Sequence, residues 1–554
     1  MKTNLKLNLP LIAFASISLL SCTNSNNQDN DGINDKDGII EEYYDVNWKP
    51  GKNAIKGATQ PTIKNPVGIT NELNDMRRSQ DKMGLPSQGE ANILVVPVTF
   101  KGDENVIAYD LTFTKDDINV INNLYFQGSR NDYPSVKDFY EKSSYDKLHL
   151  NGVVSPVVTF DTEFLTFVGK AVNGNATVSQ LHAELTSYVY NYLFNETQTY
   201  YIGDFDSDND HRVDSIHLMI NYPLGYSTGN ELLDSAITQF LNYDNVYFRK
   251  DLLDKTPVNS YVVTSEYIRK IESAGGDASH FAVVQVGYQL GLDNMSDLTA
   301  NLDQTYLRAP YAYKDLLDGY VGDHNAFSKY QLGWISPKLL KMGSIEGENL
   351  HVELRPFESS GDAIILYSGE HSLFSEYLIV DYYTPTGLNS FDATSYTVLG
   401  TNVFTIPGIR VTKVDARLLR GYGDNFYPYS GAINLNSKLT LPNGDKVNYV
   451  YDYWHTNNYI NNYYNQGITD NEPLCSLLDS FGFNRHITAA SDLLFDINYT
   501  NSLLFHAGDS FGSDEQIEGC YKNFKFNSGD KLGLSFDVSS LANNRAVVVL
   551  KEVK

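Results

Sequence analysis

The apolar positions of this chain fall into three textures. Leu9–Leu20 is an apolar run, shorter than the roughly 20 residues that span a bilayer. From Thr23 to about Ser87 periodicity disappears and Asn, Asp, Gly and Lys dominate, the pattern of a solvated tether. Order begins at Asn92–Phe100, NILVVPVTF, a continuous β-run of the kind buried on both faces. Ile118, Ile121 and Leu124 recur every third residue and predict a short helix over Lys115–Leu124. Ser135 is an N-cap residue ahead of Val136, Phe139 and Tyr140 at helical spacing. Leu148–Val158 reads as a strand, and Leu181, Leu185, Val189 and Leu193 predict a helix over Val178–Phe194. Ser215–Asn221 and Ser260–Ser265 read as further strands, and Ser279–Asn294 as a helix closed by Gly291. Strands alternating with helices to about Pro337 indicate an α/β or α+β domain.

From about Leu339 the runs shorten. Leu350–Leu354, Ala363–Tyr367, Glu376–Tyr382, Gly408–Val414 and Ala546–Leu550 are strand-like and separated by Gly, Asn and Asp, which predicts a β-rich half built as a sandwich. Gly421–Gly467 is rich in Tyr and Asn, with weak periodicity. The expected organisation is 1–21 signal, 22–88 tether, 89–340 α+β domain and 341–554 β-rich region.

Composition narrows the partners. Lys+Arg 42 against Asp+Glu 68 gives 42 − 68 = −26, with no basic stripe to neutralise phosphates, so no nucleic acid is expected as a partner. Three cysteines are too few for a disulfide framework; Cys475 and Cys520 either pair or stay thiols. Cys22 has its own context: Lys2 and Lys6, the apolar run, then Leu19-Leu20-Ser21-Cys22. This resembles a bacterial lipobox, which implies lipidation at Cys22 and a protein exported and anchored to the outer face of a bacterial membrane.

One acidic loop carries candidate metal chemistry. Asp206, Asp208, Asp210 and Asp214 stand at positions 1, 3, 5 and 9 of a D-x-D-x-D-x-x-x-D pattern, with the Arg212 carbonyl at position 7. Oxygen donors at alternate positions wrap calcium. Position 6, ordinarily Gly, is His211, and position 12, ordinarily Glu, is His217. Gly-x-Ser-x-Gly, Walker and dinucleotide-binding signatures are absent.

Several phrases resemble one family. NILVVPVTF, SVKDFYEKSSYDKLHLNG (Ser135–Gly152) and GDHNAFSKYQLGW (Gly322–Trp334) are similar to segments of the immune inhibitor A family of secreted zinc metallopeptidases, peptidase family M six. EYLIVDYYTPTGLN (Glu376–Asn389), GIRVTKVDARL (Gly408–Leu418) and LLFHAGDSF (Leu503–Phe511) resemble segments that follow the catalytic domain in such proteins. The resemblance implies an α+β fold: a zincin-like metallopeptidase domain followed by a β-rich C-terminal region. It also implies a zinc site with the pattern H-E-x-x-H-x-x-G-x-x-D, two histidines on one helical face and a glutamate base. On this chain the pattern falls on Val284, Gln285, Tyr288, Gly291 and Asn294. Gly291 remains, whereas Val284 has no lone pair, Gln285 takes no proton at neutral pH, and Asn294 is an uncharged, poor ligand. Tyr288 binds a metal only as a phenolate, costly for a group that ionises near about 10. Leu316 or Leu317 stands where the family has a methionine turn.

The expectation is therefore a lipid-anchored surface pseudopeptidase that binds a protein, peptide or glycan in a former substrate cleft, with Gln285 and Tyr288 as polar contacts. Two alternatives stay open. One is an active metallopeptidase using an atypical site, for instance His280 and His324 with a carboxylate. The other is a calcium-stabilised structural surface protein.

Overall fold

The computed structural model describes residues 44–45, 83–102, 112–128, 133–222, 227–241, 246–248, 256–265, 278–295, 315–318, 321–345, 347–394, 404–422, 425–429, 438–440, 446–448, 450–453, 474–480, 500–512, 521–542 and 544–553. The expected signal at 1–21, Cys22, Cys520 and most of the tether lie outside them. Among the described residues no helix is long and apolar enough to cross a membrane.

A mainly parallel sheet organises the first half. Its strands are β1 (Gly89–Phe100), β2 (Leu148–Val154), β3 (Val158–Phe160), β4 (Val213–Ile220), β5 (Val246–Phe248) and β6 (Val258–Ser265). They run in the order β2-β1-β4-β6-β5, with β3 also on β1; only β5 is antiparallel, at an edge. Helices cover both faces. Ile93 and Val95 of β1 face α1 (Lys115–Phe126), α2 (Val136–Ser143) and α6 (Ala278–Gln289). Leu94, Val96 and Val98 face α3 (Phe164–Val172), α4 (Val178–Tyr190) and α5 (Glu231–Phe240). This double cover is why NILVVPVTF is apolar throughout instead of alternating.

Local chemistry fixes the helix starts. Ser135 caps α2 by accepting from the Asp138 N–H. Thr114 with Asp117, and Thr177 with Gln180, form reciprocal capping boxes on α1 and α4. The strand expected over Leu148–Val158 is two strands, because Ser155-Pro156 interrupts the ladder where proline has no N–H to give.

The second half contains two facing sheets. One joins β7 (Lys338–Leu340), β9 (Ala363–Tyr367), β10 (Glu376–Tyr383), β11 (Gly408–Asp415) and β12 (Cys475–Leu478), in the order β12-β11-β10-β9-β7. The other joins β8 (Leu350–Leu354), β13 (Ser510–Phe511), β14 (Leu534–Ala542) and β15 (Arg545–Glu552) in the order β8-β15-β14-β13, and Tyr44–Asp45 pairs with β8. Ile364, Leu366, Leu378 and Val380 meet Phe536, Val538, Val548 and Leu550 in a shared sandwich core. The opposite face of β9 and β10, with Ala363, Ile365, Tyr377 and Ile379, joins the core that contains α2 and α6. A run buried on both faces, as in β10, thus arises here in an antiparallel strand. In class the fold is α+β.

Candidate functional site

Helix α6 carries Val284, Gln285 and Tyr288, and its end is sharply defined. Leu292 N–H donates to the Gly287 carbonyl (3.2 Å) and Gly291 N–H to the Tyr288 carbonyl (2.9 Å), the paired bonds of a Schellman stop. Gly291 takes φ +90°, the left-handed region such a stop requires. The incoming chain before β1 then sits on the helix end: Gly84 and Leu85 N–H both donate to the Gln289 carbonyl (2.9 and 3.0 Å). From below, the Tyr140 hydroxyl donates to the Val283 carbonyl (2.6 Å).

The helix presents one half-buried stripe. Phe281, Val284, Tyr288 and Gly291 are intermediate in exposure and share a face at i, i+3 and i+4 spacing. Asn294, beyond the stop, is also half-buried. Val284, Tyr288 and Asn294, the positions compared above with zinc ligands, are thus all half-buried, as are their neighbours His280, Phe281 and Asp293. Gln285 is fully buried and turned away from solvent, so a polar contact to a surface ligand falls to Tyr288 alone of the two. The donors do not fit zinc: valine, tyrosine and asparagine supply no imidazole, thiolate or carboxylate. Among the described residues, no group of three or more His, Cys, Asp and Glu suited to a metal includes α6.

The two histidines of the alternative site have other surroundings. His280 packs edge-on against Tyr133 (6.2 Å between ring centres), and Tyr133 stacks on Phe139. Phe139 in turn meets His324 at 6.1 Å. His324 is also against Tyr140 and Trp334, and burial drives its pKa down to about 3. It lies against Gly287, where an added Cβ would come within 3.2 Å of both Leu317 Cδ2 and Tyr140 Oη and 3.4 Å of His324 Cε1. Buried Leu316 and Leu317 form the floor under α6.

A polar relay runs beneath the same helix. Ser260 Oγ donates to the Asp214 carbonyl (2.8 Å) and so accepts from Gln289 Nε2 (3.1 Å). Gln289 Oε1 then accepts from His217 Nε2 (2.8 Å), leaving His217 Nδ1 to accept from the Tyr125 hydroxyl (2.9 Å). The whole chain has one direction, and it fixes the Nε2–H tautomer. Burial lowers the His217 pKa to about 4, in keeping with a neutral ring. His217 was the twelfth position of the acidic loop by spacing; it faces α6 inside the sheet instead. Partners 72 and 92 residues apart leave no local signal for this relay.

The acidic loop precedes β4. One oxygen each from Asp206, Asp208 and Asp210 lie within 4.8 Å of one another. Asp206 is buried, and its two oxygens accept from the Asp210 and His211 N–H groups (both 2.9 Å). Asn259 Nδ2 donates to Asp210 Oδ2 (2.9 Å). Arg212 sends its guanidinium to Asn259 Oδ1 (3.0 Å) and to the carbonyls of Thr256 (2.9 Å) and Val258 (3.0 Å). Asn209 and His211 take φ of +59° and +64°, so His211 accepts the left-handed turn at the position where glycine was expected. Asp214 is 1% exposed and grips Ser207 through Oδ2 alone, by the backbone N–H (3.0 Å) and the hydroxyl.

A scan of protein-family models and a search of curated proteins find no match to this chain.

Proposed function

We propose that this chain is a lipid-anchored bacterial surface protein that uses a metallopeptidase-like, zincin-type scaffold to bind a protein, peptide or glycan without cutting it. The observation that carries the reading is the half-buried face of α6: Val284 and Tyr288 on it, and Asn294 beyond its stop, occupy the ligand positions of the pattern, and none is a competent zinc donor. The resemblance of Ser135–Gly152 and Gly322–Trp334 to immune inhibitor A segments supports the scaffold, and the sequence around Cys22 supports the anchor. Edge strand β5 lies beside α6, which offers an extended peptide a ladder to join. An atypical site on His280 and His324 is disfavoured by the burial of His324 among aromatic rings.

The test is bound-metal content together with proteolysis. Purified protein is expected to carry no stoichiometric zinc and to leave casein intact. Stoichiometric zinc with chelator-sensitive cleavage would overturn the proposal.

A further inference from the structure

The inner face of the sandwich breaks its own pattern at one end. Side chains of β10 and β11 alternate, and Leu378, Val380, Ile409 and Val411 lie in the core shared with the other sheet. The next positions on that face are Glu376 of β10 and Lys413 and Asp415 of β11, three charged groups where the period calls for apolar ones. Glu376 and Asp415 are cross-strand partners and both are buried, which charged side chains rarely are unless paired. What they hold is Asn527, the residue after the core residue Phe526. Its backbone N–H donates to Glu376 Oε1 (2.7 Å) and its Nδ2 donates to Asp415 Oδ2 (2.7 Å). Lys413 Nζ donates to its Oδ1 (2.6 Å). Arg417 fixes the Asp415 carboxylate through two bonds of 2.8 Å. The amide is therefore gripped on both sides, with an amine at its oxygen and a carboxylate at its nitrogen. We propose that Lys413 and Asn527 join in an intramolecular isopeptide bond, with Asp415 passing the proton to the nitrogen that leaves.

The distances suit that step. A carbonyl bond is about 1.23 Å long, so an amine 2.6 Å from Oδ1 is at most about 3.8 Å from Cγ. Reacting atoms held at about 3–3.5 Å gain most from proximity. Lys413 Nζ, as the free amine, attacks Asn527 Cγ, and its lone pair becomes the new C–N bond. The Cγ–Nδ2 bond breaks and keeps its electron pair on nitrogen. One amine hydrogen passes by way of the Asp415 carboxylate to Nδ2, which departs as ammonia. Nothing is oxidised or reduced. Glu376 is a positioning residue, since it holds the Asn527 and Ser528 N–H groups and touches neither reacting atom. The product would tie β11 of one sheet to the turn that leads into β14 of the other, across 114 residues of chain. Such a cross-link is independent of what α6 binds.

The experiment takes the purified full chain, unfolds it, digests it with trypsin and reads the peptides by mass spectrometry. A linked Lys413 is no longer a cleavage site, so residues 411–417 and 526–531 are expected as one branched peptide. Its mass should be that of VTKVDAR and FNSGDK combined, less one ammonia. Lys413→Arg and Asn527→Ala should each lose the branched peptide completely. Asp415→Asn should lower the linked fraction of freshly purified protein. Linear peptides alone from the wild type, even after storage at mildly alkaline pH where more of the amine is free, would overturn the proposal. So would ammonia loss confined to residues 526–531, the mark of succinimide closure at Asn527. Full linkage in a folded Asp415→Asn would overturn the role given to Asp415.

Discussion

His182, His217, His324 and His371 are all held neutral by burial, with pKa values lowered to about 4, 4, 3 and 4. The sign follows from the ordinary value of 6.5. Above it both folded and unfolded chains carry neutral rings; below it the unfolded chain takes up protons that the folded one refuses, and stability falls until the folded value is reached. Each imidazole then costs about 1 kcal/mol per pH unit. Asp315, raised to about 6 chiefly by burial, works in the opposite sense between 3.8 and 6, so a single-site comparison is needed. His324 suits it, since its Nδ1 makes no hydrogen bond. His324→Phe should lose stability less steeply than wild type between pH 6.5 and pH 3, by close to one proton, in denaturant titrations across that range. Equal slopes would show that His324 is not the buried neutral base described. The relay gives a second prediction. Gln289→Leu strands the His217 Nε2–H and an acceptor site on Ser260, and should cost about 1–3 kcal/mol for each group left unmatched, read from urea unfolding.

Helix α6 ends where the sequence said it should, because Gly291 is the one residue of its last turn that adopts a left-handed backbone without strain. Gly291→Ala should therefore destabilise the protein by about 1–2 kcal/mol. A melting temperature at or above wild type would contradict the stop described. Elements with a clear period or cap were legible in the same way: Ala363–Tyr367 and Leu350–Leu354 match their strands, and Ser135 is the cap of α2. Helix α3 was not legible. Its sequence FLTFVGKAV has only Thr166 and Lys170 to mark a polar side, and Glu163 gives it no side-chain cap. Helix α5 was missed although Asn230 caps it through the Leu232 and Leu233 N–H groups, a signal the sequence did carry. The helix expected to Phe194 leaves the α geometry at Asn191 and finishes as a π segment, which hydrophobic spacing does not distinguish. The three clustered loop aspartates were legible because their ligand spacing is local, whereas Asp214's bond to Ser207 depends on how the chain returns into β4.

Among the described residues, side chains join the two halves across residue 340. Lys329, before residue 340, is fully buried against Asp323 (2.5 Å) and lies over the rings of Tyr145 (4.4 Å) and Phe357 (5.3 Å). Arg410, paired with Asp381 at 3.0 Å, lies over the same Phe357 ring at 5.4 Å. Lys329→Met would leave the Asp323 charge buried without its cation and should cost about 3–5 kcal/mol. The strand Lys338–Leu340 finds its partner in β9, and the core under α6 is closed by Ala363, Ile365, Tyr377 and Ile379 from the second half. A boundary near residue 340, where the texture of the sequence changes, therefore crosses one continuous apolar core. The described halves should accordingly unfold together, as one calorimetric peak with calorimetric and van't Hoff enthalpies in agreement. A fragment ending at residue 340 should expose the side of Ala326–Gln331 that packs on β10 and β11 and be digested rapidly by protease. Two resolved peaks, or a protease-resistant fragment, would mean that the shared core contributes little to the cohesion of the chain.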